Sequence, residues 1–234
     1  MSVASVIGFA PAILLLYILL RRYEEFFAGK NIFLTFAVGM VLGMIITVLH
    51  MLIEYTFVIL VILLPFFEEL AKLVILNYPR LKGKHETVYF GAGLGLGIGS
   101  MAIIAIAFSV FSAHPETLGN PQTYFDLVVL SFNFSLLNGA MGVMIGYGCA
   151  KNEVANYFIR AYILHAIYNL FFLIYISSEG GLKYGPLFIA TVLAIGLFWY
   201  VLRELMPKSV SPEMMKKRRR EARRRQREQR KKSD

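Results

Sequence analysis

The chain predicts an all-α fold, a polytopic membrane bundle of seven transmembrane helices, with the N-terminus outside and the C-terminus cytoplasmic. Three observations predict it. Of 234 residues, 57% are hydrophobic and 17% charged, with mean hydropathy +0.61; soluble domains carry about 25% charged residues. Apolar runs of roughly 20 residues, the length that crosses a bilayer, recur along the chain. The basic residues between those runs alternate from one loop to the next.

The first run, residues 3–20, lacks a basic leader and a small-residue cleavage site, so it reads as a retained span and not a signal peptide. Residues 31–52 form an uninterrupted second span. The third, 55–78, is YTFVILVILLPFFEELAKLVILNY, and it contains Glu68, Glu69 and Lys72. Pro65 is expected to bend or break that helix and free backbone carbonyls nearby. The fourth, 87–113, carries Gly91, Gly95 and Gly99 four residues apart. That spacing places them on one face, where a second backbone can approach closely. The fifth, 122–150, repeats the device with Gly139, Gly142 and Gly146 and adds Asn133, Ser135 and Asn138. The sixth, 154–176, contains HAIYN, and the seventh covers 185–203.

Loops after spans one, three and five hold Arg21, Arg22 and Lys30, then Arg80, Lys82 and Lys84, then Lys151 with Arg160 close by. The other loops hold only Lys183. The positive-inside rule therefore sets the orientation, and seven crossings satisfy both termini. The net charge of +9 is concentrated at one end: residues 1–206 hold 11 basic and 11 acidic side chains, and residues 207–234 hold 13 and 4. The chain thus divides into a seven-helix membrane domain, 1–206, and a basic cytoplasmic tail, 207–234. The tail suits anionic lipid headgroups. Clusters of this kind also dock RNA or acidic partners, but no aromatic residue is interleaved for base stacking, which argues against nucleic acid. Cys149 is the single cysteine, so no intrachain disulfide forms.

Ionisable groups at membrane depth cost ~2.5–3.5 kcal/mol each on insertion scales, so they mark a site by default. Lys72 lies four residues after Glu68 and three after Glu69, within reach of either on a helix. His165 and Asn169 share a face of span six. A carboxylate poised by desolvation can take a proton from water, and a histidine with an amide one turn away can bind a developing oxyanion. The group is thus suited to water-activated amide hydrolysis, with Asn133 and Asn138 as supporting polar residues. Glu–Lys and His–Asn pairs also hold membrane helices together without chemistry. A catalytic zinc takes three protein ligands. Only His165 lies deep in the bilayer, while His50, His85 and His114 fall at span ends or in a loop. No metal ligand set is assigned, and zinc is poorly supported.

EELAK after a proline-broken apolar run, the glycine ladder and the late HAIYN resemble one superfamily of intramembrane proteases. It includes the CAAX prenyl proteases, the PrsW proteases and the non-catalytic anterior-pharynx-defective subunit of gamma-secretase. The resemblance covers roughly residues 55–205. It implies that Glu68 is the base, Glu69 its partner, and His165 and Asn169 the closing oxyanion pair. Lys72 completes the EExxK form of the PrsW branch. The proteases place another histidine or glutamate in the following span, where this chain has GLGLGIGSMAII. The gamma-secretase subunit shares the seven spans, the orientation and the ladder, and its two intramembrane histidines would fall at Asn138 and His165. Two functions are therefore expected. One is a membrane endopeptidase acting on membrane-associated substrates. The other is a non-catalytic scaffold that packs partner helices through Gly91, Gly95, Gly99, Gly142 and Gly146.

Overall fold

The computed structural model describes residues 3–23, 29–51 and 56–210, together with Lys216 and Arg220. Most of the basic tail therefore lies outside the described residues. Every described element is helical: α1 (Val3–Tyr23), α2 (Gly29–Met51), α3 (Leu64–Leu76), α4 (Glu86–Ala113), α5 (Pro121–Lys151), α6 (Val154–Ser177), α7 (Tyr184–Tyr200) and α8 (Met206–Ser209). A wider π-helical turn, Val58–Leu63, leads into α3, and another, Val201–Leu205, joins α7 to α8. Among the described residues, five helical stretches are long and apolar enough to cross a membrane, and Val3–Leu19 is a shorter apolar helix. By length and composition this is a multi-pass membrane protein.

Two central helices organise the bundle. α4 packs along α5 and α2, and α1 completes that side. α3, α6 and α7 gather around the remaining face of α5. The close approach follows from glycine. A methyl group placed on Gly95 would land on the carbonyl of Asn138, and one on Gly142 would land on that of Gly91. Gly99 meets Phe134 and Gly146 meets Thr87 in the same way. The ladder of α4 is thus filled by α5 of this chain. Gly93 and Gly97, on the opposite side of α4, receive the backbone of α2. The grooves at these glycines are therefore occupied from within, by α5 and α2 of the same chain.

Hydrogen bonds tie the helix ends together. At one end Tyr23 donates to the carbonyl of Leu202 at 2.8 Å, and the amide of Gly83 donates to Cys149 at 3.1 Å. At the other end Lys183 and Tyr175 both donate to Oδ2 of Asp126, at 2.9 and 3.1 Å. Asp126 thereby links the start of α5, the end of α6 and the loop before α7. The sequence offers no periodic signal for this junction, because its three members lie far apart along the chain.

Candidate functional site

α3 is short and carries its three ionisable residues inward. Glu69 and Lys72 are fully enclosed, and Glu68 keeps 8% of its surface. Nζ of Lys72 donates to Oε1 of Glu69 at 2.6 Å and to Oδ1 of Asn138 on α5 at 2.7 Å. An i, i+3 pair on one helix is therefore completed by an amide from a second helix. Gly95 permits this, since its bare Cα lets α4 press against the Asn138 backbone while that side chain reaches Lys72.

His165 of α6 joins the same group. Its Nδ1 lies 2.6 Å from Oε1 of Glu69, and an ionised carboxylate accepts from that N–H. Its Nε2 then faces Glu68, whose Oε2 is 3.8 Å away. The two glutamates are adjacent in sequence and distinct in setting. Glu69 is sealed among Lys72 and His165, whereas Glu68 and His165 line a cavity of about 430 Å³. Asn169 lines it too, and the remaining walls are mainly apolar residues of α3, α4, α5 and α6, such as Leu64, Ile106, Phe134 and Phe172.

The Asn169 amide has a specific partner. Its Nδ2 donates to the carbonyl of Leu60 at 3.0 Å, inside the π-helical turn. There the amide of Leu64 bonds to Ile59, five residues back. By the same register the Leu60 carbonyl would take the N–H of residue 65, and residue 65 is proline, which has none. Asn169 fills that place from the neighbouring helix. The carbonyl that Pro65 is expected to free is found, and so is its acceptor role. What the sequence could not show is that Asn169 answers it.

Asn133 does not join this group. It donates to Oγ1 of Thr191 on α7 at 2.9 Å and so braces α5 against α7. A helix turns about 100° per residue, so the five-position step from Asn133 to Asn138 sends the two amides to different neighbours. Among the described residues, no group of three or more His, Cys, Asp or Glu side chains is placed to hold a metal ion. Glu68, Glu69 and His165 converge, but Oε1 of Glu69 is already bound by Lys72 and by Nδ1 of His165.

Chemically, the cavity end of this group offers one carboxylate, one imidazole nitrogen and one amide, all nearly enclosed, with the imidazole held by Glu69 and the amide by the Leu60 carbonyl. In a low-dielectric setting such groups act strongly on a bound polar substrate. Comparison with protein-family models, with curated proteins and with solved structures finds no match for this chain.

Proposed function

We propose that this chain is an intramembrane endopeptidase that hydrolyses peptide bonds of membrane-associated substrates with a water activated by Glu68. The observation that carries the reading is the meeting of Glu68 with Nε2 of His165 at 3.8 Å on a shared cavity wall, deep in an apolar bundle. A water bound beside the pair, on the cavity side, attacks the substrate carbonyl and gives its proton to Glu68. In this step His165 acts as the imidazolium, with Nδ1–H held by Glu69 and Nε2–H donating to the oxyanion. Glu68 then passes the proton to the leaving amine as the C–N bond breaks. Lys72 and Asn138 fix Glu69, and Glu69 fixes the imidazole. Asn169 holds the π turn and borders the cavity. EELAK and HAIYN, which resemble the PrsW and CAAX protease motifs, support the same assignment.

The proposed setting is seven crossings with the N-terminus outside. The basic tail then meets anionic headgroups of the cytoplasmic leaflet. Basic residues 80, 82 and 84 lie in the loop whose Gly83 bonds to the end of α5, beside Lys151, so positive charge collects at one end of the bundle.

A second reading rests on the sealed half of the group. Glu69, Lys72 and Asn138 form a cross-brace that needs no chemistry, as in a scaffold subunit. One experiment separates the two. Purified protein in nanodiscs is incubated with solubilised membrane proteins, and newly formed N-termini are labelled and sequenced. The protease reading expects new termini from wild type and none from Glu68→Gln at unchanged thermal stability. Wild type that yields no termini beyond those of Glu68→Gln leaves the scaffold.

A further inference from the structure

The cavity has an asymmetric wall. α4 contributes Ala102, Ala105, Ile106, Ser109 and Val110, so three of its five lining side chains, Ala102, Ala105 and Ser109, are small and border open space over two turns. Elsewhere α4 spends its small residues on backbone contact with α2 and α5. Here they leave room. The facing residues from α6 run from His165 to Ile176, eleven positions along the helix, or about 16 Å at 1.5 Å per residue. That length matches about five residues of extended chain at ~3.3 Å each. Polar groups occur towards both limits of the cavity: Glu68, His165 and Asn169 at mid-bundle, and Thr47 and Ser109 near the far ends of α2 and α4. An acyl chain has nothing to offer such groups beyond its head. Peptide amides, repeated along the chain, do.

Resting on the protease reading, we infer that the α4 wall is a specificity subsite. It receives one bulky apolar side chain of a peptide lying extended along the cavity, and Ala105 sets the size admitted. A larger residue at 105 projects into open space, so the fold can accept it. It takes up the volume that the substrate side chain needs.

The probes are synthetic single-span peptides, identical except for Ala or Leu beside the bond that wild type cleaves. Ala105→Phe is expected to lower kcat/KM for the Leu peptide at least ~10-fold more than for the Ala peptide, the scale at which hydrophobic pockets discriminate side-chain size. An unchanged Leu-to-Ala ratio in a folded Ala105→Phe protein overturns the subsite. A second measurement does not depend on turnover. Glu68→Gln protein is irradiated with a series of single-span peptides carrying photoreactive phenylalanine at each position in turn, and the cross-linked residue is read by mass spectrometry. Cross-linking within residues 102–109, abolished by Ala105→Phe, supports the subsite even if wild type cleaves nothing, in which case only the protease reading falls. Cleavage by wild type without that cross-link leaves the protease reading standing and removes the subsite.

Discussion

Asn169 of α6 donates to the Leu60 carbonyl at 3.0 Å, in the place left open by a proline five residues along the chain. A sequence irregularity in one helix is thereby answered by a side chain of another. The bond also positions the site, because Leu60 and Asn169 both border the cavity that Glu68 faces. The π turn, the proline and the amide are parts of one device.

The device predicts a coupling. Asn169→Ala leaves a buried carbonyl unpaired and is expected to cost ~1–3 kcal/mol. Pro65→Ala restores an N–H at the required position, so in that background the same substitution should cost less. Equilibrium unfolding of the four proteins in mixed micelles gives the coupling energy directly. Strict additivity would show that Pro65 is not the reason for the bond.

Among the described residues, Lys72 is the only cation within hydrogen-bond reach of fully buried Glu69, apart from the shared imidazole. Removing one partner of a buried pair leaves an uncompensated charge, at ~3–5 kcal/mol. Lys72→Met should therefore unfold well below wild type. Lys72→Met with Glu69→Gln should recover part of the loss, because the stranded charge is gone. The same unfolding assay reads both. A double variant less stable than Lys72→Met alone would contradict this account of the pair.

Gly95 separates an internal packing role from a partner-binding one. Its missing side chain admits the Asn138 backbone, so Gly95→Leu should weaken the monomer itself, by ~1–3 kcal/mol or more of overpacking strain. Gly196 on α7 has nothing within 4 Å of an added Cβ. Gly196→Leu should stay within ~0.5 kcal/mol of wild type, as exposed substitutions do. Equal stability of the two variants would mean that the ladder is not an internal seam.

The sequence was legible where its signal is one-dimensional. Apolar runs at 87–113, 122–150 and 154–176 coincide with α4, α5 and α6 to within a residue or so, because hydropathy and helix length are local properties. The meeting of His165 with the glutamates followed from cost: charges in an apolar span must face inward and find polar partners. The rest depends on rotation and register between helices. Nothing in the spacing of Asn133 says that it turns to Thr191 while Asn138 turns to Lys72. Nor does glycine spacing say whether the close neighbour comes from this chain or another. The α5 backbone at Gly91, Gly95 and Gly99 decides that.

The end-to-end charge asymmetry makes a prediction about orientation. Arg80, Lys82 and Lys84 lie in the loop that bonds to the end of α5. Among the loops at the opposite end, Lys183 is the only basic residue, and it is paired with Asp126 at 2.9 Å. That pairing offsets its charge locally, so it exerts little pull against the basic end. Cysteines introduced singly at Lys84 and Glu179, both exposed, should therefore label differently with a membrane-impermeant maleimide. Cys149 is buried and should not contribute. In intact cells the Glu179→Cys protein should label and the Lys84→Cys protein should label only after permeabilisation. The reverse pattern would place the basic end outside and invert the proposed orientation.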